Sequence, residues 1–261
     1  MYDLVSLVNA RPPDEDCWPP GVSLHENGPR EKNRMSGDKR RRLKADGSPT
    51  RVQDPEGTRQ NILEIASEEF ALNGLAGARV DEIAARTRSS KRMIYYYFGG
   101  KDGLYRRVLE EAYRKVREGE EELDLEHLPP LEALTRLVEF TFGHHSRNPD
   151  FIRIVMIENI HQGAYLEQSE LIKSLNAGAI EKLEAICRRG REAGLFREDI
   201  EPLELHWQIS ALSFFNVSNR ATFSRIFGDA LYTPEGQATL RRHAVELVAR
   251  FVVKTSPASG N

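Results

Sequence analysis

The chain has 261 residues, of which 39% are hydrophobic and 30% charged, and its formal net charge at pH 7 is −3. This length allows one large or two small domains, and no apolar run approaches the roughly 18–20 residues that cross a bilayer. The two cysteines, Cys17 and Cys187, lie far apart without metal-type spacing, which favours a reducing cytoplasm.

The charges are unevenly distributed along the chain. Residues 1–31 hold 2 Lys and Arg against 6 Asp and Glu, residues 32–117 hold 20 against 12, and residues 118–261 hold 15 against 22. Only the middle segment is basic. A local excess of cations is what a surface facing nucleic-acid phosphates requires.

Residues 1–53 are rich in Pro, Gly and charged side chains and show no sustained periodicity, so we predict a disordered extension. The acidic start lacks the basic and apolar regions of a secretory signal. Within the extension, residues 32–44 carry seven cations. They are either a solvated tail or a basic arm that follows the DNA backbone or minor groove.

The first predicted helix begins at Asp54-Pro55, a helix cap followed by proline at the first helical position. Ile62, Ala66 and Phe70 form an apolar stripe with a spacing of four residues. Asn73-Gly74 is a C-terminal signal. This helix should supply the hydrophobic floor for the next two.

Two short helices follow, over about Val80–Thr87 and from Ser90, the predicted cap of the second, to about Phe98. On a helical wheel Ile94 and Phe98 lie together, and we predict that they face the core. Two short helices joined by a tight turn, the second rich in cations and phenols, are typical of a helix-turn-helix DNA reader.

The opposite face of the second short helix carries the predicted DNA contacts. Arg92 and Tyr96 are placed to touch base edges, and a second group is better placed for phosphates. For Tyr97 the alternative is a core position, since aromatic residues at helical spacing are usually buried. The phosphate group is Ser90, Lys91, Tyr95 and Tyr97, and the predicted DNA-binding set is completed by Met93, Arg79, Arg88 and Lys101.

The remainder of the chain reads as helical throughout, which gives an all-α fold of about nine helices. The later helices are predicted over about residues 101–123, 130–147, 150–161, 166–193, 202–227 and 234–254. The resulting domains are an extension (1–53), a DNA-binding head (54–100, motif 79–98), a helical effector-binding and dimerisation domain (101–256) and a disordered tail (257–261).

The eighth predicted helix is apolar over most of its circumference, so nearly all of its sides must be covered. The last two helices are therefore the predicted two-fold interface, in which each chain's pair meets its copy in a four-helix bundle.

With these residues in place, the chain resembles TetR/AcrR-type transcriptional regulators. The matching positions are Ile83-Ala84, the turn Thr87–Ser90, Tyr95–Phe98, Lys101 and Leu104. Arg88 and Ser89 depart from the family's small and apolar turn residues. More narrowly, the chain is similar to the subgroup containing the pyrimidine-utilisation regulator, and residues 218–228 resemble regulators of aromatic and nicotinate catabolism.

The resemblance implies a homodimeric repressor that leaves its operator DNA when a small molecule binds the C-terminal domain. The implied effector is a pyrimidine, a nicotinate-like compound or an aromatic acid, held between the sixth, seventh and eighth helices. Candidate pocket residues are the polar and aromatic groups set within apolar helices, each also compatible with a core or interface role: His144, His145, Met156, Asn159, Trp207, Phe214 and Asn216.

Two alternatives remain at this point. One is an activator or an effector-independent DNA-binding protein. The other is a helical metal-dependent enzyme using His144, His145 and His161, although no carboxylate or cysteine spacing supports that site. Common catalytic motifs are absent from the sequence, so we expect no enzyme activity, no cofactor and no metal.

Overall fold

The computed structural model describes residues 54–254, and all major elements in this range are helical. The basic arm and the disordered segments that the sequence predicts at the two termini lie outside these residues. A short 3-10 turn spans Ala230–Tyr232, and Phe196 pairs with Val253 in an isolated antiparallel bridge. The helices are α1 Pro55–Gly77, α2 Val80–Thr87, α3 Lys91–Phe98, α4 Lys101–Glu121, α5 Pro130–Arg147, α6 Pro149–Ile160, α7 Glu170–Glu192, α8 Pro202–Ser218, α9 Arg220–Phe227 and α10 Pro234–Val252.

The predicted all-α architecture is confirmed. Within residues 54–254 no helix combines the length and apolar character needed to traverse a membrane.

The first three helices enclose a small core. Ile62, Ala66 and Phe70 of α1 are fully buried, as their spacing predicts, and Ile83 of α2 and Ile94 of α3 are also at 0% exposure. The backbone of Gly74 departs from helical geometry with φ of 69°, so α1 bends at the predicted stop signal and continues for three residues beyond it.

The same core extends past the three head helices. Leu104 and Tyr105 of α4 are buried in it, and Ile154 of α6 and Ile172 of α7 belong to the same hydrophobic cluster. The rings of Phe70 and Tyr105 meet edge to face at 5.1 Å between centroids. The head therefore packs directly on the helices behind it, and the domain division at residue 100 remains a prediction.

A second core joins α5, α7, α8 and α10 through residues such as Leu134, Leu183, Leu205 and Val248. Gly190 of α7 permits one close contact in this core, because a Cβ atom there would lie 2.1 Å from the ring of Phe196. Phe196 lies between α7 and α8, so its burial fixes the position of this connecting segment.

The prediction of one helix over residues 202–227 needs correction. The structure has α8 and α9 in its place, separated at Asn219, whose backbone angles are φ −100° and ψ 2°. The Asn219 carbonyl accepts from Thr222 Oγ1 at 3.1 Å and from the Phe223 amide at 2.8 Å. Asparagine and serine side chains compete with helical hydrogen bonding, which accounts for the break at Ser218-Asn219.

Candidate functional site

The turn between α2 and α3 depends on a left-handed residue. Arg88 has φ of 53° and ψ of 28° and ends α2, and the amide of Ser89 donates to the Ala84 carbonyl at 3.1 Å. The buried Thr87 hydroxyl donates to the Ile83 carbonyl at 2.8 Å. A side chain at such a φ is disfavoured, so this position explains why a small residue is usual there.

The start of α3 has the predicted cap. The Ser90 hydroxyl oxygen accepts a hydrogen bond from the Met93 amide at 3.2 Å. This contact satisfies one of the free amides at the helix start and leaves the others available to an anion.

The side chains of α3 divide into a buried face and an exposed face. Ile94 is at 0% exposure and Phe98 at 7%, whereas Tyr96 is at 79% and Tyr95 at 48%. Tyr97 is partly buried and packs against the head core. The three tyrosines therefore differ in position, and Tyr96 presents the most surface.

The cations around α3 also differ in their contacts. Lys91 Nζ lies 3.1 Å from a carboxylate oxygen of Asp81, and Arg79 pairs with Glu82 at 3.4 Å. Arg92 is exposed and, among residues 54–254, pairs with no carboxylate.

Lys101 makes a contact that sequence reasoning missed. Its ammonium group donates to the Ala76 carbonyl at 3.0 Å, at the C-terminal end of α1. A cation there complements the helix dipole of α1, which gives Lys101 a structural role besides the predicted phosphate contact.

The seven predicted effector-pocket residues differ in exposure. His145 and Asn216 are buried, at 7% and 8% exposure, whereas Trp207 is at 71% and Met156 at 37%. Asn159 is exposed, and His144 and Phe214 are partly buried. A common effector pocket for these residues stays a prediction.

The two adjacent histidines of α5 lie in an aromatic cluster. Phe151 is 5.9 Å from the ring of His144 and 5.7 Å from that of His145, and Tyr113 lies 5.6 Å from Phe151. The Nδ1 atoms of both histidines are buried without a hydrogen-bond partner.

Burial lowers the pKa of both histidines to about 4. For His144 the positive charges of Arg147 and Arg117 act in the same direction. For His145 the neighbours His144 and Arg117 do so, while a backbone hydrogen bond at Ser213 acts oppositely. Both rings are therefore neutral near pH 7.

Arg117 crosses from α4 to α7 beside this cluster. Its guanidinium donates to Glu120 Oε1 at 2.6 Å and to Asn176 Oδ1 at 2.8 Å. Its Nε atom is buried and, like the two histidine Nδ1 atoms, has no partner. The cluster thus combines aromatic walls with unsatisfied polar atoms.

A cleft of about 240 Å³ opens between α1, α4 and the α5–α6 junction. We call it the junction cleft. His144 is a predicted pocket residue that lines this cleft. No sequence pattern indicated the other lining residues, because the lining comes from four helices. It is lined by Gln60, Leu63, Glu64, Ser67, Val108, Glu111, Ala112, Lys115, His144, Arg147, Asn148, Pro149, Asp150 and Phe151.

A larger apolar groove, of about 460 Å³, lies between α5, α8, α9 and α10. We call it the α8–α10 groove. Asn216 lines it and exchanges hydrogen bonds with Gln237 at 2.8 and 3.0 Å. The groove is lined by Phe142, Ala211, Leu212, Phe215, Asn216, Phe223, Leu231, Tyr232, Leu240, His243, Ala244 and Leu247.

Comparison with known families gives two matches. Residues 62–108 match the profile described as "Bacterial regulatory proteins, tetR family". Residues 130–248 match the profile described as "Tetracyclin repressor-like, C-terminal domain".

Two curated relatives are described as repressors. The chain is 36% identical over 188 residues to the HTH-type transcriptional repressor NicS of Pseudomonas putida, covering 72% of this chain and 89% of the relative. It is 30% identical to the HTH-type transcriptional repressor SCO4008 of Streptomyces coelicolor, covering 62% and 79%.

Solved structures share the fold. The putative transcriptional regulator SCO4942 of Streptomyces coelicolor superimposes with a TM-score of 0.56 at 28% identity, covering 75% of this chain and 98% of that one. The ketosteroid transcriptional regulator KstR2 of Mycobacterium tuberculosis gives 0.57 at 19% identity, covering 76% and 95%.

Replacing Arg88 with glycine should increase stability. Glycine adopts positive φ without steric cost, so we expect the free energy of unfolding to rise by about 1 kcal/mol in urea denaturation. Arg86→Gly, within helical α2, is the matched control and should lower it by about as much. A decrease for Arg88→Gly would contradict the strain argument.

The buried histidine pair should make the fold acid-sensitive. Because their pKa values are about 4 in the fold and about 6.5 when unfolded, the unfolded state binds more protons between these values. The contribution of the neutral histidines to the free energy of unfolding should therefore be fully present above pH 6.5. It should fall on acidification towards pH 4, by on the order of 2 kcal/mol for each histidine.

Denaturation measured at intervals from pH 7.5 to 5 tests this dependence. His145→Gln should reduce the slope below pH 6.5. Thr141→Val, at a buried position one turn earlier in α5, should change stability without changing that slope. An identical slope for His145→Gln would show that His145 does not contribute.

Proposed function

The chain belongs to the TetR family of bacterial regulatory proteins, and from this premise we propose how its residues act as a repressor that binds operator DNA and releases it when a small molecule binds. It is a DNA-binding transcriptional regulator. The observation that supports the residue assignments is the exposed face of α3, where Arg92 and Tyr96 project from a helix whose other face is buried.

We assign base contacts to Arg92 and Tyr96 because α3 is the second helix of the motif, the one that enters the major groove. Arginine is the commonest donor to guanine edges there. Ser90, with the free amides at the helix start, is placed for a phosphate.

The remaining predicted contacts position the head on the duplex. Arg88 lies in the turn before α3 and Lys101 at the start of α4, so the two residues flank α3, and their neighbours add hydroxyl and ammonium donors. Lys91 would exchange its Asp81 contact for a phosphate on binding. The full proposed set is Arg79, Arg88, Ser90, Lys91, Arg92, Met93, Tyr95, Tyr96, Tyr97 and Lys101, and a basic arm over residues 32–44 would extend it.

Dimerisation is typical of this family, and the proposed interface is the exposed apolar surface of α8 and α10. Leu203 is at 67% exposure, Trp207 at 71%, Phe215 at 53% and Leu247 at 57%. Large apolar side chains in one exposed region mark a protein interface. A second copy covering them would hold two heads at the separation of successive major grooves, about 34–36 Å.

We propose that the effector is a pyrimidine, a nicotinate-like compound or an aromatic acid bound in the cytoplasm by the C-terminal helices. Support comes from the similarity of residues 218–228 to regulators of such pathways and from the aromatic surroundings of His144 and His145. The effector acts only through its different affinity for the two head arrangements.

Family membership does not favour the enzyme alternative, and its histidines are separated. His144 and His145 adjoin Phe151, whereas the His161 ring contacts Tyr165 at 6.4 Å. Within residues 54–254 no group of three metal-ligating side chains converges.

Replacing Arg92 with alanine should weaken binding to the operator by about 5- to 150-fold, since a bidentate base contact contributes about 1–3 kcal/mol. Fluorescence anisotropy with DNA flanking the gene, against a scrambled duplex, measures this loss. Arg188→Ala, an exposed arginine on α7, is the matched control and should bind as the wild type does. Unchanged specific affinity for Arg92→Ala would contradict its assigned role.

Replacing Trp207 with aspartate should raise the dimer dissociation constant by at least about 30-fold, because a buried interface tryptophan typically contributes 2 kcal/mol or more. Analytical ultracentrifugation measures the monomer fraction. Leu72→Asp is the control, since Leu72 is equally exposed, at 75%, but lies on α1. Equal dimerisation of both variants would place the interface elsewhere.

A further inference from the structure

The junction cleft lies where the DNA-binding head meets the helices behind it, and residues from both parts line it. A repressor controls the arrangement of these two parts. One wall is α1 of the head, with Leu63 and Ser67, and the other is the α5–α6 junction, with His144 and Phe151. A molecule in the cleft would touch the head and the helices behind it at once.

The apolar part of the cleft suits a flat ring. Leu63 is at 8% exposure and Val108 at 2%, and Phe151 also lines the cleft. The volume of about 240 Å³ lies below the roughly 300–1,000 Å³ of pockets for drug-sized ligands. The cleft therefore fits a molecule of one ring.

The polar groups at the α5–α6 end favour an anion. His144 Nδ1 is buried and lacks a partner, and the charges that lower the pKa of His144, after burial itself, are those of Arg147 and Arg117. The first turn of α6 also opens here, and the start of a helix attracts negative charge.

Two of the three carboxylates that line the cleft are paired with arginines. Glu111 pairs with Arg114 and Asp150 with Arg153 at 3.4 Å, whereas Glu64 accepts from the neutral amide of Gln60 at 3.3 Å. Lys115 lines the cleft, is exposed and pairs with no carboxylate in the described part of the chain. Lys115 is therefore a cation of the cleft with which an entering anion can pair.

We propose that the junction cleft is a binding site for a small planar carboxylic acid, with the ring between Leu63, Val108 and Phe151 and the carboxylate facing His144 and Lys115. Binding of the acid does not depend on the proposed repressor function, but its effect on operator affinity does. A ligand held by both α1 and α6 favours one orientation of the head, so it changes operator affinity by as much as its affinities for the two orientations differ.

The test uses the full chain and benzoate as the probe. In isothermal titration calorimetry benzoate should bind with a Kd below about 1 mM, and benzamide, which has the same shape without the charge, at least about tenfold more weakly. Equal binding of the two compounds would overturn the proposal. So would the absence of benzoate binding at about ten times that limiting Kd, roughly 10 mM benzoate.

Two variants locate the site. Lys115→Met removes the charge and keeps the length of the side chain, and Ala112→Phe fills the cleft; each should weaken benzoate binding at least about tenfold. Lys182→Met, an exposed lysine on α7 that pairs with Glu121, is the control. A melting curve of each variant confirms folding, and wild-type affinity in a folded Ala112→Phe would place benzoate elsewhere.

The two hypotheses fail in different ways. If benzoate binding does not respond to the cleft variants while the chain still binds its operator selectively, only the cleft assignment is wrong. If the chain binds no DNA selectively, the repressor function is wrong, and the calorimetry still decides whether the cleft binds a carboxylate.

Discussion

A single hydrophobic core connects the DNA-binding head to the helices that follow it. Phe70 of α1 meets Tyr105 of α4, and Ile154 and Ile172 reach the same cluster from α6 and α7. Because close-packed interiors repack between discrete arrangements rather than deform continuously, the head has few orientations relative to α6. Because of this constraint, a small structural change in the helices behind the head shifts the equilibrium between head orientations that differ in DNA affinity.

Polar contacts also connect α6 to the helix that leaves the head. Glu158 of α6 is at 1% exposure, and its Oε1 accepts from the amides of Tyr165 and Leu166 at 2.7 and 3.0 Å. The Tyr165 hydroxyl donates to Asp102 at 3.2 Å, in the first turn of α4. The loop between α6 and α7 is thus tied both to α6 and to the helix that leaves the head.

Much of the fold was predictable from local signals, whereas the sites depended on distant contacts. Spacing placed Ile62, Ile94 and Phe98 in the core, because one buried face repeats every three to four residues. The same signal does not assign a role to the exposed Trp207, since an apolar face looks alike whether its own chain or a second copy covers it. The junction cleft was not predictable, because its walls come together only when α1, α4 and α6 pack.

The exposed apolar surface of α8 and α10 also links folding to the number of molecules present. If a second copy covers Trp207 and Leu247, association stabilises the folded state by mass action, so resistance to unfolding rises with protein concentration. A two-fold operator holds two copies side by side and raises their local concentration. Operator DNA would then act as a stabilising ligand of the fold, and molecules away from DNA would be the first to unfold.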